Sequence, residues 1–149
     1  MHNKLQELTD KLYNEGLSKG KQEGEEILAK AKVQADEIVA KAKAEADYVI
    51  VMYHGGKEHC QYPSPRLRKL CRAMVNDGAD LVLCQHSHCI GCAEEYNGGT
   101  ILYGQGNFHF MYPTPRDRMW SEGLAVRVTL EDKPVVEFIP TVLTSTGIR

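Results

Sequence analysis

Several things are scarce in this sequence. Residues 3 to 46 contain no proline, so nothing in that stretch breaks a helix outright. No apolar run approaches the roughly 20 residues needed to cross a bilayer, so no transmembrane segment is expected. The opening Met1-His-Asn-Lys-Leu-Gln-Glu7 has no apolar signal-peptide core. Export is therefore not expected, and the reading is of a cytoplasmic protein. The formal net charge is only -2, which leaves no basic field to hold nucleic acid by bulk electrostatics. Five cysteines are an odd number, which a closed disulfide framework would not leave; they read as reduced thiols.

What is present is a soluble balance, 42% hydrophobic against 26% charged, in 149 residues. That length suits one domain of ordinary size and not two large ones. Composition breaks near Asp47. Before the break, Lys, Glu, Gln and Ala dominate, all good helix formers. Leu5, Gly16, Ile27, Ile38 and Val49 recur at intervals of eleven, as do Gly20, Ala31 and Ala42. Eleven residues in three turns predicts a straight or right-handed coiled coil. Gly16, Gly20 and Gly24 fall on one line, where small side chains let another backbone approach at a cost of about 1 kcal/mol each. A helix over residues 3–46 would be about 66 Å long, and a helix partner, a second copy or a stalk-like protein, is expected along it. Lys4-Leu-Gln-Glu-Leu-Thr-Asp-Lys-Leu-Tyr-Asn-Glu-Gly-Leu17, Gly24-Glu-Glu-Ile-Leu-Ala-Lys-Ala-Lys32 and the alanine-rich elevens resemble the N-terminal helix of the E-type stalk protein of V-type ATP synthases. That resemblance implies a peripheral-stalk interaction module.

After the break the sequence turns to strands. Tyr48–Tyr53 reads as a strand ending in His54-Gly-Gly-Lys-Glu58. Ser64 is placed to cap a helix opened by Pro65, with Leu67, Leu70, Cys71, Met74 and Val75 as its apolar stripe. Asn76-Asp-Gly78 stops it. The run Leu81–Gln85 reads as a buried strand, parallel to the first through the helical crossover. Ala93–Tyr96 and Thr100–Tyr103 form a hairpin about Asn97-Gly-Gly99. Gly123–Leu130 and Pro134–Leu143 form an antiparallel pair.

Around Leu81–Gln85 the chemistry gathers. It delivers His86 and His88, and in extended chain residues two apart share a face. With His54 after the first strand, two buried strands end in three histidines at the strand ends where ligand crevices form. Neutral imidazole suits zinc, iron, manganese and copper. His59 and His109 read as ordinary loop histidines. Cys89-Ile-Gly-Cys92, with Cys84, His86 and His88 close in sequence, allows a small zinc-binding module as another reading. Arg66, Arg68, Lys69 and Arg72 read as the solvated face of the crossover helix. Arg116, Asp117 and Arg118, after Pro113-Thr-Pro115, read as a solvated loop.

His54-Gly-Gly-Lys-Glu58, Pro63-Ser-Pro65, Gly78-Ala-Asp-Leu-Val-Leu-Cys-Gln-His-Ser-His88 and Glu95-Tyr-Asn-Gly-Gly-Thr-Ile-Leu-Tyr-Gly-Gln-Gly-Asn-Phe108 occur in order. Together they resemble the C-terminal half of the CapA family, the poly-γ-glutamate capsule synthesis proteins of metallophosphatase-like fold. The resemblance implies an α+β or α/β architecture: a stalk-like helix over 1–47, then a partial metallophosphatase-like α/β domain over 48–149. It implies divalent metal (Mn, Fe, Zn or Mg), with His54 and His86 on one ion and His88 on a second. Glu58 and Asn107 would be catalytic-site contacts beside them. The family's Asp-x-His, bridging Asp and Asn-His pair do not occur before Tyr48, where the helical sequence stands. The expectation is thus a chimera joined near Ala46-Asp47-Tyr48, its phosphatase-type chemistry disabled. Uncovered apolar faces and open sheet edges are expected in residues 48–149.

Overall fold

The computed structural model describes residues 2–110, 118–144 and 147–148. Two units are distinguished, one ending at Glu37 and one beginning at Ile38. Helix α1 (His2–Glu45) supplies all the described residues of the first and opens the second. In the first unit the helix is held by its own backbone bonds and by exposed pairs one turn apart, Lys11–Glu15 and Lys19–Glu23, each at 3.9 Å. Such pairs contribute a few tenths of a kcal/mol. Its apolar side chains Leu8, Leu12, Leu17 and Ile27 are exposed. A side chain added at Gly16, Gly20 or Gly24 would meet nothing within 4 Å.

The second unit has three layers. Its central sheet runs in the order β1-β2-β4-β3, from β1 (Ile50–His54), β2 (Leu81–Gln85), β3 (Ala93–Tyr96) and β4 (Gly99–Leu102). The strands β1, β2 and β4 are parallel, and β3 folds back on β4 about the Asn97-Gly98 turn. Helix α2 (Pro65–Asn76) is the crossover from β1 to β2. Ser64 caps it by accepting from the Leu67 amide at 3.2 Å, and Pro65 occupies its first turn. On the helical face of the sheet, Leu67, Cys71, Met74 and Val75 of α2 pack with Val39, Val49, Val82, Cys84, Ile101 and Tyr103. On the other face Leu81, Leu83 and Leu102 pack against Leu124 and, around it, Val126, Val136 and Phe138. Those last residues belong to a second sheet of β5 (Glu122–Thr129), β6 (Val135–Thr144) and the short β7 (Gly147–Ile148), preceded by one turn of helix, α3 (Arg118–Ser121).

Strand β1 starts two residues later than its apolar run predicts. The reason is local: the Val49 amide donates to the Asp80 carboxylate at 2.8 Å instead of joining a ladder. Lys43 Nζ also reaches that carboxylate, at 3.2 Å, so Asp80 ties the end of α1 to the start of β2. Among the described residues β1 pairs only with β2. Ile50 and Met52, which face the second sheet's side, stay 45% and 57% exposed. In the central sheet β1 and β3 are the two edge strands, and the uncovered apolar face lies at β1, because β5 and β6 cover β2 and β4. The solvated basic face expected of α2 needs correcting at Arg72. Its guanidinium pairs with Glu94 on β3 and lies over the Tyr96 ring, 4.6 Å from the centroid. Of the loop expected at 113–118, residues 113–117 lie outside the described residues, and Arg118 opens α3 instead of continuing a loop. Among the described residues no helix is long and apolar enough to cross a membrane.

Candidate metal centre

The centre is built where β1 and β2 end. Past the ladder, Gly55 N donates to Gln85 O at 3.2 Å and His59 N to Ser87 O at 2.8 Å. These bonds draw the loop carrying Glu58 alongside the loop carrying His86 and His88. Donor atoms of Glu58, His86 and His88 come within 4.8 Å of one another, with Glu58 Oε1 4.0 Å from His86 Nε2. His54 is adjacent, its ring centroid 5.1 Å from that of His86. The three-donor set thus joins Glu58 to His86 and His88, while the His54 ring lies nearer to His86 than the His88 ring does, 5.1 against 6.0 Å between centroids. His86 and His88 stand together with Glu58, and His54 flanks them outside the three-donor set.

The way the histidines converge differs from the expectation. Strand β2 ends at Gln85, so His86 and His88 do not share a face by strand alternation. Both adopt left-handed backbone, with φ of 89° at His86 and 54° at His88, and His59 follows at 55°. Few side-chain-bearing residues adopt this conformation, and holding one there costs about 1–3 kcal/mol. Ser87, between the two, is buried, its hydroxyl donating to Cys89 O at 2.9 Å. The chain thus turns its small polar residue inward and both imidazoles outward.

Asn107 reaches the centre from the loop after β4. Gln105 N donates to Cys84 O at 3.1 Å and Leu124 N to Gln105 O at 2.8 Å, pinning that loop between the two sheets. The approach of Gly123 is close: a side chain there would lie 2.2 Å from Asn107 O. Asn107 is buried, and its Nδ2 donates to Trp120 O at 2.9 Å. A carbonyl can only accept, so this bond settles which end of the amide faces which way. Oδ1 is then the group 2.9 Å from His88 Nδ1, and that nitrogen must carry the proton. Nε2 of His88 keeps its lone pair for an ion or a proton.

Sequence reasoning missed the aromatic wall. Trp120 stacks on His88 with centroids 4.7 Å apart and planes 25° apart. Phe110 lies 5.4 Å from His88 and meets Trp120 edge-on at 5.3 Å, while His59 sits 5.7 Å from Trp120. His59 is thus more than a plain loop residue. His109, with His54, His86, His88 and Asn107, lines a cavity of about 420 Å³. No local motif marks Trp120, whose only sequence signal is that it is the single tryptophan of the chain.

The donor set fits a divalent ion. Two neutral imidazoles and a carboxylate suit zinc, manganese or iron. Ligands each about 2.1 Å from one ion lie at most about 4.2 Å apart, so the present spread closes with shifts of about half an ångström. Asn107 supplies the outer hydrogen bond that metal-binding histidines need to fix tautomer and orientation. Two of the cysteines, Cys71 and Cys84, stand apart from this set. Cys84 faces α2, its Sγ 3.5 Å from that of Cys71, and both are fully buried. The Cys84 contact and burial hold the Cys71 thiol well above its ordinary range, which makes it a poor nucleophile or ligand.

On the face of the sheet toward α2 a second polar cluster forms around Glu94. Arg72 and the Tyr103 hydroxyl, which donates at 2.6 Å, hold the Glu94 carboxyl below its usual range. Burial and the same carboxylate push the Tyr103 phenol up.

The bacterial capsule synthesis protein family PGA_cap matches residues 2–112, a span that runs across the compositional break at Asp47. Over 62 residues the chain is 44% identical to the PGA biosynthesis protein CapA of Bacillus subtilis (strain 168), and 43% identical to the capsule biosynthesis protein CapA of Bacillus anthracis. Those stretches cover 42% of this chain and 16% and 15% of the respective relatives, so the chain spans only a small part of their length. With the family match covering most of its residues, the chain belongs to the bacterial capsule synthesis protein family PGA_cap.

Proposed function

We propose that the second unit is a CapA-like, metallophosphatase-type capsule-synthesis domain fragment. It holds one divalent ion through Glu58, His86 and His88 and does not turn over substrate by itself. The observation that carries this reading is the convergence of three donors within 4.8 Å on two strained histidine backbones. Such strain is retained where the surroundings over-determine it, and it clusters at functional sites. Bound there, a divalent ion would supply Lewis-acid chemistry, polarising a phosphoryl or carbonyl oxygen of a phosphorylated or polyglutamyl substrate. The chain's own residues have separate tasks. His86 and His88 bind as neutral imidazoles, Glu58 supplies the negative charge, and Asn107 orients His88. His54 borders the cavity, where it can hold a second ligand or a substrate oxygen. The one carboxylate of this set is Glu58, which is the basis for expecting a single ion and no turnover.

Calorimetric titration of the full chain with Mn²⁺ and Zn²⁺, alongside an aryl-phosphate assay, tests the reading. One ion per chain is expected, lost in His86→Ala and His88→Ala, with no hydrolysis above background. Zinc binding that survives both substitutions but is abolished by thiol alkylation would replace this reading with the cysteine-based zinc module.

A second reading applies to the first unit. Its exposed Leu8, Leu12, Leu17 and Ile27, with a glycine line open to approach, support a helix partner of the peripheral-stalk kind or a second copy. Sedimentation of the full chain alone and with a stalk helix checks it: concentration-independent monomer in both cases would exclude it.

A further inference from the structure

Trp120 touches the centre twice, by two different groups. Its indole face lies against the His88 imidazole at 4.7 Å. Its backbone carbonyl accepts from Asn107 Nδ2 at 2.9 Å, and Asn107 in turn faces His88 Nδ1 at 2.9 Å. The indole is itself held: its N–H donates to Phe110 O at 3.3 Å, and Phe110 closes the third side of His88. One residue therefore fixes a single imidazole from its face and from its edge. We infer that Trp120 is a positioning residue of this centre, holding His88 in the Nδ1–H tautomer and in one ring orientation so that Nε2 is the ligating nitrogen. The inference rests on the reading of His88 as an ion ligand.

The physical reasons are separable. A histidine in left-handed backbone at the start of a loop has no ladder to hold it, so its ring direction comes from side-chain contacts. The stack removes rotation about χ2, because a turned ring would lose the indole face. The carbonyl removes the ambiguity of the Asn107 amide: with Nδ2 committed to Trp120 O, only Oδ1 remains for His88. A flipped amide would set Nδ2–H against His88 Nδ1 and select the other tautomer, whose lone pair points away from the ion. Outer partners of this kind typically change metal affinity 10–100-fold when removed. Trp120 lies beyond residue 112, where the family match ends, so the later part of this chain contributes to a centre whose ligands all lie inside the match.

The test uses the full chain labelled with ¹⁵N-histidine, above the imidazole titration range. Long-range ¹H–¹⁵N correlations report the His88 tautomer without metal, and calorimetry then reports Zn²⁺ affinity. Trp120→Leu keeps apolar bulk but no aromatic face, and Trp120→Phe restores the face; both keep the carbonyl. For Trp120→Leu the expected result is a His88 ring free to turn about χ2, so that Nδ1 leaves Asn107 Oδ1 and the tautomer pattern becomes mixed, with zinc affinity about tenfold weaker; Trp120→Phe should return both toward the native protein. Should Trp120→Leu not fold, Asn107→Ala, which cuts the other arm and leaves the indole in place, carries the same prediction. A folded Trp120→Leu with a pure Nδ1–H tautomer and native affinity would overturn the inference. A native protein that binds no zinc but shows the single tautomer, loosened in Trp120→Leu, would uphold the positioning role and sink the ion reading alone.

Discussion

The two units hold similar aliphatic side chains in opposite circumstances. Leu12 and Leu17 of α1 are 61% and 62% exposed, whereas Leu81 and Ile101 of the central sheet are fully buried. The first unit is helical because its residues lose little by being helical and nothing in it breaks a helix. The second is folded because two faces of one sheet are covered, one by helices and one by another sheet. Propensity alone sets a conformation; layered burial sets a site, because only a rigid framework can hold two histidines in left-handed backbone. Chemistry accordingly collects in the second unit, and the first is free to interact.

The largest expected effect separates the two kinds of leucine and isoleucine. Ile101→Ala should cost about 2–5 kcal/mol in denaturant unfolding followed by Trp120 emission. Leu12→Ala should stay within about 0.5 kcal/mol. Equal effects would mean that the first unit buries its stripe in solution.

Next comes Gly123→Ala, which tests how closely the second sheet supports the centre. The added methyl meets backbone at Asn107 O, which cannot swing away as a side chain could. A loss of about 1–3 kcal/mol is expected, together with weakened zinc binding as Asn107 moves off His88. Unchanged zinc binding would show that the centre is independent of the Asn107–Gly123 approach.

A smaller effect of opposite sign is expected at Gly20→Ala in α1. With open space around the site, alanine should stabilise the helix by about 1 kcal/mol, read as a rise in the helical melt. Destabilisation would reveal a partner helix packed on the glycine line.

Smallest is the acid response of Glu94. Its carboxyl is depressed below the usual 4.5 by Arg72 first and Tyr103 second. The stability it contributes is present above pH 4.5 and lost as pH falls through the lower, folded value. Glu94→Gln should therefore lower stability at neutral pH and flatten its fall on acidification, checked by urea titrations at pH 7 and pH 3. A parallel fall in both proteins would remove Glu94 as a cause.

Much of this was legible in the residues. The run Leu81–Gln85, the Ser64–Pro65 helix start and the Asn97-Gly98 turn lie where local chemistry puts them, since each signal acts within a few residues. The convergence of Glu58, His86 and His88 was legible only as to the residues. Their grouping depends on two left-handed histidines, and no residue type announces that conformation. Trp120 was illegible for a similar reason: its contacts with His88 and Asn107 are made across 32 and 13 positions of sequence, by a stack and a backbone carbonyl that carry no spacing rule. The β1 start shifted because a distant carboxylate, Asp80, outcompeted the ladder for one amide.

One experiment sets the two units against each other directly. The full chain is melted with and without Mn²⁺ or Zn²⁺, following Trp120 emission for the second unit and far-ultraviolet ellipticity, dominated by α1, for the first. The account predicts that ion at 100 times its Kd raises the Trp120 transition, as stabilisation of about 2.7 kcal/mol requires. The helical transition should stay where it was. A Trp120 transition indifferent to either ion, in a protein that melts cooperatively, would contradict the claim that this fold holds a metal centre.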